Sequence, residues 1–135
     1  LADEREFDQH FDISIPVGLI GEVIDKISEE LEDCEGVKTI FPFGHVADGN
    51  IHFIIGKDSD DDDLKSKIND IIYDNTKLVD GSISAEHGIG LDKKKYLIKS
   101  RSEDEIKLMR LIKKSIDPKN ILNPGRVIWF KILSL

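Results

Sequence analysis

Hydrophobic positions along the chain change period several times, and each change marks an element. Phe11, Ile13 and Ile15 alternate with Asp12 and Ser14, the period of two of a strand with one buried face. Pro16 stands where a helix can begin, and Val17, Ile20, Val23, Ile24, Ile27 and Leu31 follow at steps of three and four. That spacing predicts an amphipathic helix ending near Gly36. Residues 37–43 and 51–55 read as two further strands, and the Asp48-Gly49 turn signal between them predicts a hairpin-like connection. Leu64, Ile68, Ile71 and Ile72 predict a second helix, and residues 79–84 a third paired strand. Ser102 and Glu105 form a capping-box pattern opening a helix through Ile106, Met109, Ile112 and Ile116, which Asp117-Pro118 ends. Asn123-Pro124-Gly125-Arg126 reads as a turn. The apolar Val127-Ile128-Trp129-Phe130 after it reads as an edge strand or packed tail, or as an anchor onto a neighbouring domain. The order β-α-β-β-α-β predicts an α+β fold: a ferredoxin-like antiparallel sheet covered by helices, with a helical C-terminal extension.

The chain's 135 residues fit one domain with a modest core, and 39% hydrophobic with 34% charged residues is the balance of a globular chain. A net charge of −8 argues against a general nucleic-acid binder, which needs a basic face to displace phosphate counterions, while an anionic substrate can still meet a locally positive pocket. No run approaches the ~20 apolar residues of a membrane span. Cys34 is alone, so no internal disulfide forms, and its place near a helix end reads as a small packed or surface residue rather than a reactive thiol. The acidic run Asp58 to Asp63 lacks the ligand spacing and glycine of a calcium loop. It reads instead as negative charge at a helix N-terminus. The chain opens at Leu1 without an initiator Met, which reads as a piece of a longer protein.

Three of the four histidines fall in two glycine-rich segments. These are Gly44-His45-Val46-Ala47-Asp48-Gly49-Asn50-Ile51-His52 and Gly81-Ser82-Ile83-Ser84-Ala85-Glu86-His87-Gly88-Ile89-Gly90. Two neutral imidazoles, His45 and His52, with the Glu86 carboxylate form the donor set of Zn²⁺, Mn²⁺ or Fe²⁺, and leave positions open for a substrate. Asp48 reads as the turn residue. Were their segment extended, Glu86 and His87 would point to opposite faces, one to the metal and the other to a reacting proton. His87 beside a cation would have its protonated form disfavoured, as a general base requires.

These segments, with Phe11-Asp12-Ile13-Ser14-Ile15-Pro16 before them and Asp117-Pro118-Lys119-Asn120-Ile121-Leu122-Asn123-Pro124-Gly125-Arg126 after them, occur in a recognisable order. Together they resemble the C-terminal domain of FAD-linked oxidases of the vanillyl-alcohol-oxidase superfamily, in the branch of the D-2-hydroxyglutarate and D-lactate dehydrogenases and glycolate oxidase. The resemblance implies that residues 1–135 are the substrate-side domain of a flavoenzyme whose FAD-binding domain lies outside this chain. It implies oxidation of a D-2-hydroxy acid to the 2-oxo acid, with a divalent metal, zinc first, on His45, His52 and Glu86. His87 is then the base, and Asn50, Arg126 and His10 are the substrate- or cofactor-binding positions. His10 departs from the lysine of close relatives, and Ile54 from an asparagine that some of them carry. Both departures weigh against 2-hydroxyglutarate as the substrate. The implied partners are the FAD domain, an electron-acceptor protein or quinone, and a second copy in a homodimer. The implied location is intracellular: mitochondrial in a eukaryote, otherwise cytoplasmic. The alternative is a stand-alone metal-binding or interaction module without redox activity.

Overall fold

A computed structural model describes residues 7–128, and in it the chain falls into two compact units that part between His87 and Gly88. The first unit is built on three antiparallel strands: β1 (Gln9–Ser14), β2 (Val37–His45) and β3 (Asn50–Lys57), in the order β1-β3-β2. Helix α1 (Ile20–Glu32) follows β1 after a short 3-10 turn at Val17–Leu19, and α2 (Asp62–Leu78) follows β3. The α-helical part of the first thus starts at Ile20, one 3-10 turn beyond Pro16, whereas α2 begins as the acidic run predicts, with Asp61 as its N-cap accepting the Leu64 amide and Asp62 and Asp63 in its first turn.

The alternation in the strands sorts their side chains by face. Phe11 and Ile13 of β1 and Ile51, Phe53 and Ile55 of β3 are buried, packed with Val23, Ile27 and Leu31 of α1 and Ile68 and Ile72 of α2. Phe11 meets Tyr73 of α2 edge-on, with ring centroids 5.5 Å apart. Each such side chain contributes about 1.5–3 kcal/mol when fully buried, so this layer dominates the unit's stability. Residues directly opposite one another share a face of an antiparallel sheet. The register therefore places Ser14, Asn50 and His45 in one row of the other, open face. Asp12, His52 and Phe43 form the next row, and His10, Ile54 and Phe41 the third.

The strand predicted at residues 79–84 does not form. What remains is a single bridge on the outer edge of β1, where the Ser14 and Ser82 amides each donate to the other's carbonyl at 2.9 Å. Beyond it the backbone turns away, because Asp12 captures the amides that a fourth strand would use in its ladder. The ferredoxin-like sheet thus has three strands among the described residues, within an α+β fold.

The second unit carries a 3-10 stretch, Lys94–Lys99, whose Tyr96 and Leu97 are buried, and helix α3 (Glu103–Ile116). The capping box forms as read: the Ser102 hydroxyl accepts the Glu105 amide, and the Glu105 carboxylate accepts the Ser102 amide at 2.7 Å. Past Ile116, the buried Asp117 carboxylate accepts the Ile121 and Leu122 amides, both at 2.9 Å, and holds the chain's reversal. Of the apolar run at residues 127–130, Val127 and Ile128 are half-buried and in no strand, and the rest lies outside the described residues.

Candidate functional site

The open face of the first unit gathers most of the residues singled out in the sequence. The β2–β3 connection is a 3-10 turn, Val46–Asp48, closed by Gly49 at φ 77°. A β-carbon at Gly49 would run into the Ile15 carbonyl, and the Gly49 carbonyl accepts the Ile15 amide at 2.9 Å, so the turn is pressed onto the end of β1. Asp48 is the turn residue, its carboxylate accepting the Asn50 amide at 3.1 Å. This tight connection puts His45 and His52 on the same face as diagonal neighbours across β2 and β3. Such positions lie about 7–8 Å apart, within reach of two imidazoles.

Glu86 and His87 reach this face from the segment after Ser82, which is bent rather than extended, so the opposite-face expectation does not hold. The physical reason is Asp12. Its carboxylate is 1% exposed and accepts the Ala85 amide at 2.6 Å, the Glu86 amide at 2.8 Å, the His87 amide at 3.0 Å and the Ser84 hydroxyl at 3.1 Å. Successive amides pointing at one anion form a concave nest, incompatible with the alternating amides of a strand. Held this way, Glu86 lies beside His45, with Oε1 3.8 Å from Nδ1, and accepts the Asn50 side-chain amide. His87 lies instead beside His52, with ring centroids 5.8 Å apart, and its Nδ1 is 3.4 Å from Asp12 Oδ2. The two side chains thus divide between two places on one face.

His52 stacks on Phe43, centroids 5.2 Å apart at 22°, and Phe43 touches Phe41. His10 is exposed at the far end of the face, opposite Ile54. Arg126 belongs to the second unit, where it is exposed and its amide donates to the Asn123 carbonyl in the expected turn.

Among the described residues, no three His, Cys, Asp or Glu side chains stand close enough together to hold a metal ion as placed. Glu86 is engaged with Asn50, and the His52 ring lies on Phe43. The donor set nonetheless fits a divalent metal: two imidazoles and a carboxylate project from one face, and the nearby buried Asn50 Oδ1 has no hydrogen-bond partner. Asp12 is the residue that sequence reasoning missed. Its signal was present, since the period of two puts this carboxylate on the polar face with His10 and Ser14. Nothing local shows that its partners lie more than seventy residues away.

The order of these segments has known counterparts. Residues 2–127 match the family of FAD linked oxidases, C-terminal domain. The chain belongs to this family. Its relatives include the mitochondrial D-2-hydroxyglutarate dehydrogenase of Danio rerio, 40% identical over 87% of this chain and 22% of that protein. The D-2-hydroxyglutarate dehydrogenase of Stutzerimonas stutzeri (strain A1501) is 37% identical over 86% of the chain and 26% of its own length. The mitochondrial D-lactate dehydrogenase [cytochrome] 1 of Saccharomyces cerevisiae is 32% identical over 86% and 20%. This member of the FAD-linked oxidase family thus spans about a quarter or less of the length of these relatives. No described helix is long and apolar enough to cross a membrane.

Proposed function

We propose that this FAD-linked oxidase domain is the substrate- and metal-binding part of a dehydrogenase that oxidises a D-2-hydroxy acid to the 2-oxo acid. The observation that carries the reading is the single open sheet face on which His45, His52, Glu86 and His87 meet. They come from two glycine-rich segments far apart in sequence, brought together at the end of β1. His45, His52 and Glu86 would hold the divalent metal, zinc by donor set. A bound flavin supplies the hydride acceptor, and a metal the positive charge that polarises the hydroxyl and carboxylate. His87 takes the hydroxyl proton as the C2–H bond breaks, a role suited to an exposed imidazole. Asn50 holds Glu86 in place through its side-chain amide, and Arg126 is a cation available to a carboxylate or the cofactor.

Of the two substrate types named among the relatives, the lactate type fits this face better. The row around Ile54 carries Phe41 and His10 but no Lys or Arg, so a distal carboxylate there would have His10 and no permanent cation to meet it.

The test uses the full-length protein. Glu86→Ala or His45→Ala should lose bound metal and most turnover while retaining FAD, and His87→Ala should retain metal but reduce flavin slowly with substrate. Unchanged turnover in a metal-free Glu86→Ala enzyme removes the metal from the mechanism. A panel of D-lactate, D-2-hydroxyglutarate and glycolate identifies the acid.

A further inference from the structure

The hydrogen-bond pattern around β1 points to a role for a residue that touches neither substrate nor metal in the reading above. We infer that Asp12 is the positioning residue of this site: its buried carboxylate acts through His87 and fixes which ring nitrogen meets the substrate. The inference rests on the assignment of His87 as the base.

Three observations support it. Asp12 sits in β1 directly opposite His52, so its carboxylate emerges in the same row as a proposed metal ligand. It is 1% exposed, although a carboxylate normally stays in water unless it is well partnered. It accepts from three consecutive amides and a hydroxyl of residues 84–87, so one charge sets the path of that segment. A carboxylate needed only to close a loop could do so with one or two amides; this one also has the His87 ring beside it.

His87 Nδ1 is the nitrogen that faces Asp12, at 3.4 Å, while the side chain is two-thirds exposed. A carboxylate beside Nδ1 favours the tautomer with hydrogen on that atom, which leaves Nε2 as the acceptor turned outward. The proton from the substrate hydroxyl then goes to Nε2, and Asp12 stays ionised throughout. An imidazole free to take either tautomer, or to swing on an unpinned segment, would present the acceptor only part of the time. Asp12 thus links the folded core, through β1, to the orientation of one reacting atom.

The experiment is a double-mutant cycle on the full-length flavoprotein, combining Asp12→Asn and His87→Ala. The readouts are FAD content, the substrate dissociation constant and the limiting rate of anaerobic flavin reduction by the best hydroxy acid. Asp12→Asn should keep FAD and bind substrate within about threefold of wild type, while the limiting rate falls by roughly 10–100-fold, the usual effect of removing such an orienting partner. In the His87→Ala background the same change should slow reduction by less than about twofold, because the group it acts through is gone. A purely structural role would slow the rate equally in both backgrounds, and that result overturns the inference. So does a wild-type rate in Asp12→Asn while His87→Ala remains slow, which leaves the proposed function standing. If His87→Ala itself reduces flavin at the wild-type rate, the base assignment falls and the inference with it. Should Asp12→Asn fail to retain FAD, Asp12→Glu replaces it in the cycle, since it keeps the charge but displaces it by one methylene. The same two rate comparisons then decide.

Discussion

Substituting Gly49 with alanine tests whether the hairpin that carries His45 and His52 is held by the contact described here. Two costs follow from the geometry. Gly49 lies at φ 77°, where an L-residue costs about 1–2 kcal/mol. Its new β-carbon would also meet the Ile15 carbonyl oxygen, so the turn must lift from the end of β1. Lifting it stretches the bond from the Ile15 amide to the Gly49 carbonyl, worth about 1 kcal/mol. The sum is about 3 kcal/mol once the displaced packing of the buried Ile15 is included. Gly21 supplies the control within the same unit. It lies in the first turn of α1 with nothing within 4 Å of an added β-carbon, and its φ is not positive. Alanine there should be neutral or stabilise by up to about 1 kcal/mol through helix propensity. Urea unfolding followed by far-UV circular dichroism measures both. One chemical change should thus destabilise at Gly49 and not at Gly21. If Gly49→Ala comes within about 1 kcal/mol of wild type, the tight turn-to-strand contact is not what fixes the hairpin, and the reasoning is refuted.

Further outcomes follow from other contacts. Asp117 has its carboxyl held below the ordinary range, first by the hydrogen bond from Lys113 and then by the Leu122 and Ile121 amides, against a desolvation effect of opposite sign. Its unfolded pKa is about 3.9, so the unfolded chain binds the extra proton first. The stabilisation is therefore fully present above about pH 5 and is lost as pH falls below about 4. Asp117→Asn should be less stable than wild type at pH 6, with the gap narrowing as the pH falls below about 4. A gap of constant size would show that the charge is irrelevant. Ser102→Ala removes the acceptor of the Glu105 amide at the start of α3 and should cost about 1 kcal/mol, read as a loss of helical signal on mild heating. Asn50→Leu removes the donor that holds Glu86 and should lower metal retention in the full-length protein while FAD content stays constant. Equal metal content in variant and wild type would separate Asn50 from the ligand set.

Some of this molecule is written in short stretches of sequence. The period of two in β1, the three- and four-residue steps of α1, the Asp48-Gly49 turn and the Ser102–Glu105 box all appear where they were read. Each depends on neighbours a few residues away, and local sterics and hydrogen bonding decide them. The donor chemistry of His45, His52 and Glu86 is equally a property of residue type. What the chain alone did not reveal depends on long-range pairing. Residues 79–84 have the composition of a strand, yet only Ser82 pairs with β1, because the amides that follow turn to a carboxylate on that strand. For the same reason Glu86 and His87 share one face instead of opposing each other. Local pattern determined which side chains are chemically able to act. The tertiary structure decided where they act, since Asp12 lies 73 to 75 residues from the amides it binds and no periodicity in sequence spans that distance.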